Sequence, residues 1–518
     1  MKKTKDVIGS SLVGENFGDR IYRTLGAHRK GGSMVFRVLA PHAEQVFLVG
    51  DVNAWREDLP MTKVDVSGIF EIWTDSALFE GRELYKYKVR TAFGDRYVAD
   101  PYAFCTRMQP ETASVVYDLD GYEWRDAVFL KRRGERAMYE QPLNIYQVFL
   151  GAWMRHADGS AFSYRELIFE LIPYVKQMGY THVMLMDAVN GGFSPNPCYG
   201  QPKELMALVD AFHEAGIGVV IPLASMGDCD EQDAVKHRLT ESALFWAEYY
   251  HIDGIFADNT CRDFCENLGI CMKKEYPDVL TIAEGAAHGD GFTYIWSRER
   301  CEELLSFVSI GDNLRKGACE HEILPISCDM VSGGKKSLLG KMHGEYKQRF
   351  AQVRALMVYL MTMPCKKLMF MGSEIGQFKE WDGTDVEWFL TEYDSHASLQ
   401  RFFADLGHFY LENPPLYESD SHVLMGSDDR EGGVISFCRV GKDGGELLSV
   451  INFSPVCYGG FEQKVPREGV YREVLNSDAC SYGGEGNVNG GELLSNAEKN
   501  IRITLPPYGA CVFKFFEK

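Results

Sequence analysis

Three carboxylates in this 518-residue chain stand where apolar segments end. They are Asp258 after Gly254-Ile255-Phe256-Ala257, Glu284 after "VLTIA", and Asp329 after "ILPISC". A single acid ending a strand is more often a helix cap or a loop hydrogen-bonder. Three at the ends of separate strands of one barrel are harder to dismiss, because barrel enzymes build their sites at the carboxyl ends of their strands. Paired carboxylates suit glycosidic-bond chemistry. One stays ionised as nucleophile while the other donates a proton to the leaving oxygen, at a separation of about 5 to 5.5 Å in a retaining site. A third acid can hold sugar hydroxyls. Side chains alternate along a strand, so Phe256 lies on the same face as Asp258. The neighbour of that acid is an apolar ring, not a cation or a donor.

The elements that must position these acids follow from the rhythm of the chain. From about Pro142, strand and helix patterns alternate. The strand-like segments are "NIYQVFLGAW", "THVMLMD", "GVVIPLAS", "GIFAD", "LTIAEG", "EILPISCD" and "KKLMFMGSE", and between them lie amphipathic runs such as "YRELIFELIPYVKQMG". Strands recurring between helices imply parallel βαβ units, and so many in succession favour a (β/α)₈ barrel. Before it, "MVFRVLAP", "QVFLVGDVNAW", "IFEIWTD" and "LYKYKVRT" read as short antiparallel strands, and after it "GVISFCRV", "ELLSVINFS" and "ACVFKFF" do the same. The expected fold class is multidomain, α/β plus all-β: a central (β/α)₈ TIM barrel flanked by N-terminal and C-terminal antiparallel β-sandwich domains. The expected boundaries are a tail over 1–24, a sandwich over 25–119, a linker over 120–141, the barrel over 142–412 and a second sandwich over 413–518.

With 45% hydrophobic and 25% charged residues the chain is globular in type. Its net charge of -20 argues against nucleic acid and anionic membranes as partners. The start of the chain has no continuous apolar core of a cleaved signal, and the most hydrophobic run, Ala355 to Met363, is too short to span a bilayer. Fourteen cysteines without a CxxC pair read as reduced thiols of a cytoplasmic protein. Cys261, Cys265 and Cys271 lack zinc-site spacing and read as helix packing. No metal and no cofactor is expected. The "GGKKS" at Gly333 to Ser337 lacks the first glycine of a P-loop and reads as a turn.

Long runs of the chain, among them "PLNIYQVFLGAW", "ALFWAEYYHIDGI", "PDVLTIAE", "KKLMFMGSEIGQFKEWD" and "REVLNSDACSYGG", resemble the glycogen and starch branching enzymes of glycoside hydrolase family 13, with an N-terminal carbohydrate-binding module of the family 48 type. The resemblance implies that Asp258 is the nucleophile, Glu284 the acid/base and Asp329 the substrate-distorting acid. It also implies α-1,4-glucan (glycogen, amylose or amylopectin) as the partner, and it names no protein partner.

The surroundings of the acids depart from that pattern. Phe256 stands where the family has an arginine two residues before its nucleophile, and Cys328 where it has a histidine before the third acid. Pro222 and Gly227 stand where an aspartate and a histidine are usual, and the short "NGGFSPNPCYG" from Asn190 to Gly200 replaces the loop that carries a stacking tyrosine. A ring in place of a guanidinium desolvates Asp258 and weakens it as a nucleophile. The expectation is therefore a glucan-binding member with lost or strongly reduced catalysis. The alternative is an active branching enzyme, forming α-1,6 branches by a retaining double displacement. A third reading gives a remodelled pocket with Cys328, Asp187 and Asp228 as new polar groups. In it Asp187 is more readily a loop cap and Cys328 a buried, inert thiol. Phe256 and Cys328 count as substrate-facing positions. In the N-terminal sandwich Trp55 is a candidate sugar-stacking ring, equally able to pack on the barrel, with Tyr85 and Lys86 nearby.

Overall fold

A computed structural model describes the chain from residue 20 to 517, apart from 65, 109–111, 136, 191, 224–232, 258–261, 285–290, 306–320, 420 and 430–432. Asp258, Gly227, Asp228, Cys261 and the side chain of Cys265 lie outside the described residues.

The N-terminal strands alternate as their sequence requires. In Ser33–Leu39 the side chains of Met34, Phe36 and Val38 turn inward and pack with Val46, Leu48, Tyr85 and Tyr87 of the facing sheet. One sheet joins Gly26–Lys30, Ser33–Leu39, Ile69–Asp75 and Thr62–Lys63; the other joins Gln45–Gly50, Leu84–Thr91 and Gly94–Val98, with Ser114–Val115 pairing the middle strand. Tyr85, expected near a sugar site, is instead core. Its hydroxyl and that of Tyr87 donate to buried Asp100, at 2.7 and 3.0 Å, and burial pushes the Asp100 carboxyl up to about 6.

The stretch expected to be linker contains a helix, Ala127–Glu135, which seals the amino-terminal mouth of the barrel. Its Arg133 pairs with Asp253 at 2.6 Å and with Asp278 at 2.8 Å. Just before it, Asp126 meets His213 Nδ1 at 2.9 Å, and His213 Nε2 meets Asp253 at 2.8 Å. These partners come from distant parts of the chain, which is why periodicity does not reveal the helix. A cavity of about 410 Å³ at this mouth, lined by Arg133, His182, Asp253 and Tyr294, lies at the opposite end from Glu284 and Asp329.

Eight parallel strands close the barrel in chain order: Asn144–Val148, His182–Leu185, Gly218–Pro222, Gly254–Ala257, Leu280–Glu284, Tyr294–Trp296, Glu322–Ile326 and Lys366–Phe370. Seven of these are legible in the sequence. The sixth, Tyr294–Trp296, has three residues, too few for any period to register. Every strand contributes to the interior layer: Ile145, Met184, Val220, Phe256, Ile282, Trp296, Ile323 and Leu368 fill it side by side, so the barrel is packed rather than hollow. Ile255 and Ala257 face outward to the helices. Among these helices, Tyr164–Gln177 starts at a capping box: Ser163 N donates to Glu166 at 2.8 Å and Glu166 N donates back to the Ser163 hydroxyl.

Beyond the barrel, six strands in the order His422–Asp429, Val434–Val440, Glu446–Asn452, Gly509–Phe516, Val470–Asn476 and Glu492–Leu494 face a two-stranded sheet of Tyr458–Lys464 and Asn500–Leu505. Arg354 of the barrel helix Tyr346–Thr362 donates to the Ser477 carbonyl at 2.7 Å and ties this domain on. Nine of the described cysteines are free, whereas Cys365 is disulfide-bonded, which departs from the all-thiol expectation. No helix among the described residues is long and apolar enough to cross a membrane.

Candidate active site

Glu284 is the last residue of the fifth barrel strand, in register with Trp296 of the sixth. Asp329 lies in the 3₁₀ turn Cys328–Met330 that follows the seventh strand. The two acids meet on one guanidinium. Arg298, two residues beyond Trp296, places Nη2 against Glu284 Oε1 and Nε 2.7 Å from Asp329 Oδ2. The contact to Asp329 is an ion pair rather than an aligned hydrogen bond. The side chains are 11% exposed at Glu284, 31% at Asp329 and 41% at Arg298, so the guanidinium sits on the solvent side of the acids.

Asp329 is oriented from below. The Ser327 hydroxyl donates to its Oδ1, and the Cys328 N–H donates to the Gln147 side-chain oxygen at 2.8 Å. Gln147 lies on the first strand, is buried, and directs its amide to Met186 Sδ at 3.3 Å. Arg298, Ser327 and Gln147 escaped the reading of the sequence, which collected only acids at strand ends. A cation two residues past an apolar "YIW" was the available signal.

Phe256 points into the barrel and packs on Trp296, with ring centroids 4.6 Å apart. It is also the register partner of Pro222. The two positions where the resemblance leads one to expect an arginine and an aspartate are thus neighbours, and both are apolar. Replacing both together leaves neither partner as an unpaired buried charge. Cys328 has its thiol pushed up to about 12, chiefly by burial and then by the Asp329 charge, so it is a poor nucleophile near neutral pH.

Asp187 is not a pocket acid. It accepts from the backbone N–H of Leu150 at 2.7 Å and of Gly151 at 3.2 Å, capping the short helix Leu150–Trp153, and Tyr199 donates its hydroxyl to the same carboxylate. A Cβ at position 151 would lie 2.5 Å from that hydroxyl, which is why glycine stands there. The Asn190 to Gly200 loop folds back on the core: Phe193 is buried against Phe245, and Tyr199 is 6% exposed. Trp55 is 38% exposed and outside the packed clusters, its Nε1 donating to Asp51 at 3.1 Å. It follows Ala54 in a turn where both residues have positive φ, 52° and 60°. Non-glycine residues adopt that conformation at a cost that tends to be retained at functional positions.

Residues 24–103 match the model for carbohydrate-binding module 48 (isoamylase N-terminal domain), and residues 426–516 match the alpha amylase C-terminal all-beta domain. The fold is similar to a pullulanase from Paenibacillus barengoltzii, solved with maltohexaose and alpha-cyclodextrin, at TM-score 0.74 and 16% identity, over 95% of each chain. It is also similar to a putative alpha amylase from Salmonella typhimurium, at TM-score 0.66 and 16% identity, over 95% of this chain and all of that one. These features define an amylase-type barrel protein with an all-β domain on each side.

The chain is 34% identical to the 1,4-alpha-glucan branching enzyme GlgB of Bacillus subtilis (strain 168), over 96% of both chains. It is 33% identical to GlgB of Geobacillus stearothermophilus, over 96% of this chain and 94% of that one. It belongs to the 1,4-alpha-glucan branching enzyme family. The alignment to the Bacillus subtilis enzyme runs over 606 positions against 518 residues here, so the relative holds segments with no counterpart in this chain.

Proposed function

We propose that this protein acts on α-1,4-glucan as a branching transglycosylase. The observation that carries the proposal is the meeting of Glu284 and Asp329 at the carboxyl end of the barrel, in a chain aligned along 96% of its length with a branching enzyme. In this reading the Asp258 carboxylate attacks the anomeric carbon while Glu284 gives its proton to the departing glycosidic oxygen. Glu284, now ionised, takes the proton of an acceptor 6-hydroxyl, whose oxygen displaces Asp258 and leaves an α-1,6 branch. Asp329 holds ring hydroxyls and Trp55 stacks on a more distant part of the same glucan. Cytoplasmic residence belongs to the same proposal, supported by the nine free thiols among the described cysteines and opposed by the disulfide at Cys365.

A second reading, glucan binding with turnover lost or strongly reduced, is favoured by one observation. Arg298 occupies one of the two Glu284 oxygens, Oε1, and favours the ionised form of an acid that must donate a proton, and Pro222, Phe256 and Cys328 bring neither a cation nor a strong donor to the site. Incubation of the purified chain with amylose separates the two, with α-1,6 linkages and reducing ends as readouts. Branch formation abolished by Asp258→Asn and by Glu284→Gln supports the first reading. Retained glucan binding without new linkages supports the second. Absence of both sinks α-glucan as the partner.

A further inference from the structure

The acids at the barrel mouth need a cation, and the fourth strand does not offer one: at Phe256 it presents a ring that is committed to Trp296. Like-charged carboxylates drawn together without a counter-ion repel each other and do not keep a fixed geometry. The sixth strand supplies what is missing. Trp296 fills the interior layer beside Phe256, and two residues on, Arg298 reaches the layer of the acids. Its planar fork is suited to joining two carboxylates, which a point charge on a lysine would do less well. The two recorded contacts use Nε and one terminal nitrogen. A guanidinium carries five N–H donors, so others remain for a sugar hydroxyl on the solvent side.

We infer that Arg298 is a positioning residue of this site: it sets the separation and orientation of Glu284 and Asp329, from the start of the helix Arg298–Leu305 that follows the sixth strand, in place of a cation at Phe256 on the fourth. The inference rests on the glucan reading above only for the identity of the ligand.

The test uses the full chain carrying Trp55→Ala, so that barrel binding is read without that ring. Binding of maltoheptaose by calorimetry is compared for Arg298, Arg298→Lys and Arg298→Ala. A loss of about tenfold is expected for Arg298→Ala, with a smaller loss for Arg298→Lys. Guanidinium at sub-denaturing concentration should restore binding to Arg298→Ala and not to Glu284→Gln, a response that a purely structural role would not give. Unchanged or tighter binding by Arg298→Ala overturns the inference and makes Arg298 a plug that sugar must displace. If the parent itself does not bind maltoheptaose, the glucan reading fails, and the inference is judged on melting temperatures of Arg298→Ala, Glu284→Gln, Asp329→Asn and their pairings. Non-additive shifts support the positioning role, and additive shifts overturn it.

Discussion

Phe256 and Trp296 pack ring against ring inside the barrel, 4.6 Å between centroids, on strands that are not neighbours. The fifth strand runs between them and ends on Glu284. The pair forms an apolar floor under the acids, and the charge that balances those acids comes from the rim at Arg298.

Restoring a guanidinium on the fourth strand therefore meets a filled space. Phe256→Arg should lower stability by about 3 to 5 kcal/mol, since the new charge is buried beside Trp296. Adding Cys328→His should raise any branching activity only slightly, because Pro222 and the short loop remain. Melting temperature and branching rate of the parent, single and double variants check this. A stable Phe256→Arg variant with raised activity would show that the floor is not the constraint.

The network under the barrel predicts a stability profile with pH. Despite burial, Asp253 and Asp126 raise His213 to about 9, and His213 and Arg133 hold Asp253 down at about 2. A raised histidine contributes stability that is complete below its ordinary value, about 6.5, and is lost as pH rises through about 9. A lowered aspartate contributes above its ordinary value, about 3.9, and loses that contribution as pH falls through about 2. Unfolding followed against pH should show the alkaline decline in the parent and a flatter profile in His213→Ala. That variant should also lose about 1 to 3 kcal/mol, because two buried carboxylates each lose one partner while Asp253 keeps Arg133 and Asp126 keeps His251.

Glu374 gives the opposite lesson. It is fully buried and accepts from Tyr146 at 2.7 Å and Tyr174 at 2.6 Å through one oxygen, whereas the other has no aligned hydrogen-bond donor among the described residues. Burial raises its pKa, so its contribution is complete below its ordinary value and is lost as pH rises past it. Glu374→Gln keeps the acceptor for both tyrosines and removes the ionisation. It should be neutral to stabilising by about 1 kcal/mol at neutral pH, and should flatten the profile above pH of about 4.5. A large loss of stability in Glu374→Gln would mean that the ionised form is the one the core needs.

Trp55 is tested in glycogen gels. Its ring is held at the surface by Asp51 rather than in the core, so Trp55→Ala should fold with a stability change within about 0.5 kcal/mol. It should also migrate with much less retardation than the parent. Sugars are neutral, so added salt should change neither result by much. Equal retardation of parent and variant would remove Trp55 from the binding surface.

Much of this molecule was legible from local pattern. Alternation in Ser33–Leu39 and the recurring strand-helix rhythm act over a few residues, and they specify two all-β domains around a barrel. Glu284 ends a strand and Asp329 follows one because a barrel packs apolar residues along its staves and releases polar ones at its mouth. Their company was decided elsewhere. A three-residue sixth strand has no period to detect and becomes a strand only because Leu280–Glu284 and Glu322–Ile326 pair with it on either side. That closure is what brings Arg298 between Glu284 and Asp329 and folds helix Ala127–Glu135 under the barrel. Each depends on contacts between residues far apart in the chain, whose distances exist only once the strands have closed.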